Sequence, residues 1–258
     1  MTLAPLLFAL AMWFVGTGAV VWLDSRPHST FRTSYRVAGA VAIFACITIW
    51  ATRQDAGEAG AYVAFAAAIL VWGWHEMGFL MGFVSGPRTL PCPPDAHGWT
   101  RFRLATATVI HHELALAAQL ALLVALTWGA PNQAAPLTFA LLFAARLSAK
   151  LNLFWGVPNL SDEVFPAHLA YLKSYFGHRA INPLLPVSVV AGSVVAYAAW
   201  AAAEASAGGA AISASLIAAL AVLGVVEHLF LVLPLRDGAM WRWASNAPAG
   251  APAPAASE

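Results

Sequence analysis

Histidine and glutamate stand side by side in three long apolar segments of this chain. Ionisable groups at membrane depth are costly and usually face the interior of a helix bundle, so each run marks a candidate functional site. A further apolar segment carries Arg146 and Lys150, which are four residues apart and therefore share one face of a helix. The three runs are His75-Glu76, His111-His112-Glu113 and Glu227-His228.

One interpretation of these runs is a metal centre, because imidazole and carboxylate ligands suit iron, manganese or zinc. Iron or manganese at such a centre would support an intramembrane oxidase or hydroxylase that acts on a lipid-soluble pigment precursor. The Glu-x-x-His spacing of di-metal carboxylate bundles is absent, and two cysteines are too few for a cysteine-built zinc site. The candidate metal ligands are His75, Glu76, His111, His112, Glu113, Glu227 and His228.

A second interpretation is charge pairing, since a buried charge must be paired or neutralised. The glutamates Glu76, Glu113 and Glu227 would then pair with Arg146 and Lys150. Their charges nearly cancel, and neighbouring histidines can take up a proton or a hydrogen bond.

A third interpretation is ligation of a pigment. A neutral His75, His112 or His228 could ligate the magnesium of a chlorophyll-type ring or the iron of a haem, between aromatic side chains such as Trp72 and Trp74. A proton or ion pathway is less favoured, because Gln119 is nearly alone in continuing the polar residues towards the other surface.

The composition requires a membrane environment for these residues. The chain of 258 residues is 60% hydrophobic and 10% charged, and its mean hydropathy is +0.71. Soluble domains average about 25% charged residues. The net charge of +1 says nothing about nucleic acid, but the sequence has no basic patch or stripe, so no nucleic-acid partner is predicted and membrane lipids are the expected surroundings.

The apolar segments predict an all-α, polytopic bundle of about seven spans, because a helix needs about 20 apolar residues to cross a bilayer. Residues 1–245 form one predicted membrane domain, and the Ala/Pro-rich residues 246–258 form a predicted disordered tail. The predicted spans are Leu3–Leu23, Arg36–Thr52, Ala61–Gly86, Leu104–Trp128, Pro136–Gly156, Leu185–Ala207 and Ala210–Leu235.

Lysine and arginine in the loops predict the orientation, because cytoplasmic loops carry an excess of these residues. One side of the predicted bundle holds only Arg53. The N-terminus is therefore predicted outside and the C-terminus in the cytoplasm. The residues predicted on the cytoplasmic side are Arg26, Arg32, Arg36, Arg88, Arg101, Arg103, Lys173, Arg179, Arg236 and Arg242.

This topology places the ionisable runs at a similar depth in the cytoplasmic half, given a helical rise of 1.5 Å per residue. The sequence does not decide which of His111 and His112 faces inward, because adjacent residues differ by about 100° around a helix. In the longest loop, 157–183, the apolar residues Leu169, Leu172 and Phe176 predict a short amphipathic helix on the membrane surface.

Several motifs of this chain resemble those of the PuhE family, which is associated with assembly of photosynthetic complexes in purple bacteria. The similarity covers about residues 70 to 235, and the run from Arg146 to Asn159 is its most specific part. The other motifs are Trp74-His75-Glu76, Gly86-Pro87-Arg88, Cys92-Pro93, Arg101-Phe102, His111-His112-Glu113, His168-Leu169 and Ser174-Tyr175-Phe176.

The resemblance implies a multi-pass protein of the bacterial inner membrane, cytoplasmic or intracytoplasmic. It also implies a role beside the reaction centre and light-harvesting subunits, or in supplying them with bacteriochlorophyll. It carries over no catalytic residues. The candidate site therefore rests on the residues themselves.

Overall fold

The described part of the chain forms seven α-helices and one short 3₁₀ helix. The structure is a computed structural model that describes residues 3–160, 166–180, 182–233 and Ala244. The α-helices are α1 (Leu3–Asp24), α2 (His28–Thr52), α3 (Glu58–Leu80), α4 (Gly98–Leu126), α5 (Ala134–Trp155), α6 (Leu184–Glu204) and α7 (Gly208–Phe230), and the 3₁₀ helix Ala167–Tyr175 lies between α5 and α6.

All seven α-helices are long and apolar enough to cross a membrane. Within the described ranges there is no β-strand, so the prediction of an all-α, seven-span fold is confirmed. The orientation of the termini stays a prediction. The predicted tail and the basic residues 236 and 242 lie outside the described ranges.

Helix α3 is the centre of the bundle and packs against α1, α2, α4, α5 and α7. Its alanines Ala64, Ala67 and Ala68 are buried in one apolar cluster with Leu116 of α4 and Phe139 of α5. Small side chains allow helix backbones to approach closely where the surrounding lipid gives no hydrophobic drive for association. The side chains near the C-terminal end of α3 therefore contact the neighbouring helices rather than lipid.

Four predicted span boundaries differ from the observed helix ends by five or more residues: the starts of α2 and α4 and the ends of α3 and α7. Helix α2 begins at His28 rather than Arg36, directly after Pro27, whose fixed φ suits a helix start. Helix α3 ends at Leu80 rather than Gly86, and Gly82 follows in the left-handed region with φ 77°. The apolar run in the sequence thus continues past the end of α3 and includes residues that are not helical.

Residues 81–88, which we call the return segment, fold back against α4. The Ser85 carbonyl accepts a hydrogen bond from the His112 amide at 3.0 Å, and the Arg88 amide donates to the Ala107 carbonyl at 3.2 Å. A Cβ on Gly86 would lie 2.2 Å from the Ala107 oxygen. Glycine is therefore required for this approach, and non-helical backbone is tolerated at this depth because protein groups satisfy it.

A short helix forms in the longest loop as predicted, but it is a 3₁₀ helix whose spacing differs from the predicted α-helical one. The segment is a 3₁₀ helix, and Leu169, Leu172 and Tyr175 are buried. Their spacing of three matches the three residues per turn of a 3₁₀ helix. Leu169 and Leu172 pack against Phe79 at the end of α3, so the apolar face of this helix covers that end of the bundle, and its location at the membrane surface stays a prediction.

Candidate functional site

Five ionisable side chains meet where α3, α4 and α5 face one another, and we call this group the ionic centre. Arg146 Nη2 lies 3.1 Å from Glu76 Oε2, and His112 Nε2 lies 3.6 Å from Glu76 Oε1. Lys150 Nζ donates to Glu113 Oε1. Arg146 and Lys150 share one face of α5, which lets two basic residues reach acids on two different helices.

The ionic centre is balanced in charge and largely closed to the surroundings. Two carboxylates oppose two cations, so the sum is neutral when His112 is neutral. His112 is fully buried, its ring lies 4.8 Å from the ring of Phe79, and Lys150 Nζ lies 5.0 Å from the Phe79 ring centroid. The Arg146 side chain is 40% exposed and connects the centre to the outer surface of the bundle.

The ion pairs do not use all the hydrogen-bonding capacity of these side chains. Both His112 ring nitrogens, Glu76 Oε1, Glu113 Oε2 and Arg146 Nε are buried and make no hydrogen bond within the described residues. Buried polar atoms normally have partners. The centre can therefore accept and donate further hydrogen bonds.

The two adjacent histidines of α4 have opposite environments. His112 is buried in the ionic centre, whereas His111 is exposed, on the same side of α4 as Leu114 and Leu122. His111 lies midway along α4, so its imidazole faces the membrane interior or a partner that covers it. The structure thereby identifies His112 as the inward-facing residue.

The remaining candidate residues lie apart from the ionic centre. His75 Nε2 lies 3.5 Å from Gln119 Oε1, and its ring packs edge-on against Trp74. Glu227 Oε1 accepts a hydrogen bond from the Trp13 indole at 2.9 Å, which links α7 to α1. This contact directs Glu227 towards α1.

His228 belongs to a hydroxyl network between α5, α6 and α7. Its Nδ1 lies 2.7 Å from the Gly224 carbonyl and therefore carries a proton. In the neutral ring Nε2 is then an acceptor, and the Ser148 hydroxyl lies 2.9 Å from it. Ser188 and Asn152 extend the network. Both nitrogens of His228 are thus occupied by protein groups.

The separation of the candidate residues into different groups affects which ligands the site can bind. Among the described residues, no group of three or more His, Cys, Asp or Glu side chains lies close enough to hold a metal ion. The ionic centre offers Glu76 and His112 as neighbours, while cations hold Glu76 and Glu113. Its chemistry is that of a polar, hydrogen-bonding interior.

Sequence reasoning missed the contacts of Arg88, Arg101 and Asn182, which hold one end of the bundle, whereas Asn159 was expected to satisfy backbone groups. Arg88 Nε donates to the Tyr175 hydroxyl at 2.6 Å, and Arg101 Nη2 donates to the Tyr175 carbonyl at 2.6 Å. Asn182 Oδ1 accepts from two amides at the start of α6, and its Nδ2 donates to the Gly156 carbonyl. Asn159 Nδ2 donates to carbonyls after the end of α7. The sequence signal that could have identified these contacts was the presence of arginine or asparagine close to glycine and proline in a loop.

Comparison with known proteins gives a family and a relative. The model of the family described as "Protein of unknown function (DUF3623)" matches residues 1–251. A Rhodobacter capsulatus protein named "Uncharacterized 30.4 kDa protein in puhA 5'region" is 39% identical over 250 residues, which cover 93% of this chain and 90% of the relative. No solved structure matches the chain.

Proposed function

This chain belongs to the DUF3623 family, and from that premise we propose that it is an integral membrane factor assisting assembly of the photosynthetic reaction centre–light-harvesting complex. The proposal rests on the name of the relative, which places that protein in the puhA 5′ region. That position is in a photosynthesis gene region, and the similarity extends over nearly the whole length of both proteins. The proposed location is the bacterial inner membrane, cytoplasmic or intracytoplasmic.

The ionic centre supports a role as a rigid scaffold in this process. Glu76, Glu113, Arg146 and Lys150 join α3, α4 and α5 through paired charges. Breaking a buried pair leaves an uncompensated charge, so such pairs fix the arrangement of the helices that carry them. A fixed bundle gives the reaction centre and light-harvesting subunits a defined surface to assemble against.

Handling of bacteriochlorophyll is the finer part of the proposal, and His111 is the residue best placed for it. A pigment dissolved in lipid can reach an exposed imidazole at mid-membrane, and an imidazole nitrogen is a ligand for magnesium in such a ring. His112 is fully buried, and His75 and His228 are also buried. Ligation at those three histidines would require the helices to separate first.

The interpretation as a metal-dependent oxidase or hydroxylase has weaker support. It would need several of the seven candidate ligands to converge, and these residues occupy five separate environments: the ionic centre, the exposed position of His111, the His75–Gln119 pair, the Trp13–Glu227 pair and the His228 network.

The test compares assembled complex in cells that lack the gene and in cells complemented with variants. Deletion is expected to lower the absorption of the assembled complex in isolated membranes, and the wild-type gene to restore it. His111→Phe is expected to restore less than His97→Phe, which alters an exposed loop histidine. Unchanged complex after deletion would refute the assembly role.

A second measurement separates pigment handling from scaffolding. Protein purified in mild detergent is expected to carry bacteriochlorophyll absorption that His111→Phe removes and His97→Phe retains. Normal complementation by His111→Phe, with no pigment on the wild-type protein, would refute pigment handling and leave the scaffold.

A further inference from the structure

A cavity of about 240 Å³ lies at the end of the bundle where α1 stops and α2 begins, away from the ionic centre. Its apolar wall is formed by Val21, Phe31 and Leu80, and its polar wall by Asp24, His28 and His168. The end of a membrane-spanning helix lies near the lipid headgroups, so this cavity is placed where a polar group with an apolar attachment resides.

The carboxylate of Asp24 is half-buried in this cavity, and His28 and His168 lie close enough for their charges to act on it when protonated. Its Oδ1 is buried and has no hydrogen-bond partner among the described residues. An ionised carboxylate only accepts hydrogen bonds, and a buried one requires a donor or a cation. The cavity therefore favours a hydrogen-bond donor that carries positive charge.

His168 lines the same cavity and is the second side chain with an available acceptor atom. Its Nε2 lies 2.7 Å from the Leu80 carbonyl and therefore donates a proton to it. In the neutral ring Nδ1 then carries a lone pair. The ring of His28 stands edge-on to that of His168, with their centroids 5.8 Å apart.

Gly82 is the residue that permits this position of His168. A Cβ at Gly82 would lie 3.2 Å from His168 Cδ2, and φ at this glycine is 77°. The turn at Gly82 thus leaves room for the His168 imidazole beside the Leu80 carbonyl, which accepts its hydrogen bond.

We infer that this cavity binds a primary ammonium group, carried either by the headgroup of an aminophospholipid or by a small free amine. An ammonium offers three hydrogen-bond donors and a positive charge, which match the Asp24 carboxylate and the acceptor nitrogen of His168. A quaternary ammonium has no donor and fits less well.

The experiment measures binding to the full-length protein in detergent by native mass spectrometry. The probes are phosphatidylethanolamine, phosphatidylcholine with the same acyl chains, and free ethanolamine. Phosphatidylethanolamine is expected to bind about tenfold more tightly than phosphatidylcholine, the difference expected for a charge-assisted hydrogen bond. Competition by ethanolamine at similar affinity would identify a soluble amine as the source and still support the site.

Variants test whether this preference comes from the cavity. Asp24→Asn keeps the shape of the side chain and is expected to abolish the preference, and His168→Phe, which keeps an aromatic ring, to reduce it. Asp95→Asn alters an exposed loop carboxylate and is expected to leave the preference intact. Equal binding of both lipids without ethanolamine binding, or an unchanged preference in Asp24→Asn, would overturn the inference.

Discussion

Glu113 and Lys150 illustrate how single residues stabilise an apolar interior. The two side chains form an ion pair between α4 and α5, and the Phe79 ring lies beside the ammonium group. Removing two charges from water costs free energy, and the attraction between them offsets this cost only while both partners are present. The pair therefore matters most when one partner is lost.

We predict that Lys150→Met lowers the free energy of unfolding by about 3 kcal/mol, because it leaves Glu113 buried without a cation. The double variant with Glu113→Gln is expected to be less destabilised, since it removes the charge left without a partner. Denaturant titration of the purified protein measures both. Arg103→Met, at an exposed position of α4, is the control and is expected to change stability by less than about 0.5 kcal/mol. Additive effects of the two substitutions would contradict coupling.

At the scale of elements, the return segment determines where the ionic centre lies. Its Ser85 carbonyl binds the amide of His112, the residue whose side chain faces Glu76. The close approach at Gly86 thus fixes α4 against the end of α3. A change in this segment should act on stability through backbone position rather than through charge.

We predict that Gly86→Ala destabilises the protein by about 2–3 kcal/mol, because the added methyl group collides with backbone atoms of α4 and forces overpacking. Gly73→Ala is the matched control inside α3. Its Cβ would meet only Val20 Cγ2 at 3.8 Å, and removal of a helical glycine is expected to gain about 0.5–1 kcal/mol. Thermal unfolding in detergent ranks the two variants. Equal stability of both would refute the proposed steric role of Gly86.

The helices were predictable from sequence because apolar length alone identifies a membrane span. The return segment was not, since residues such as Phe83 and Val84 are as apolar as the helix before them. Arg146 and Lys150 were predicted together from their spacing, and their pairing with Glu76 and Glu113 agrees with the charge-pairing interpretation. Glu227 was grouped with them by depth, but depth gives no direction around the helix axis, and this side chain meets Trp13 of α1.

At the scale of the whole molecule, an odd number of spanning helices places the start of α1 and the end of α7 on opposite sides of the membrane. The loops α1–α2, α3–α4 and α5–α6 then share one side with the Arg88–Arg101–Tyr175 contacts. Arg53, at the end of α2, lies on the other side. This asymmetry favours the side with more lysine and arginine as cytoplasmic.

We predict that single cysteines at Asp95 and Gln54 are labelled from opposite sides of the membrane. Both residues are exposed, Asp95 in the α3–α4 loop and Gln54 in the α2–α3 loop. In a background of Cys46→Ala and Cys92→Ser, an impermeant maleimide is expected to label Gln54→Cys in intact spheroplasts and Asp95→Cys only in inside-out vesicles. The background protein without cysteine is the control for permeation. The reverse pattern would invert the orientation and place the amine cavity at the outer surface, and labelling of both from one side would contradict an odd number of spans between the loops.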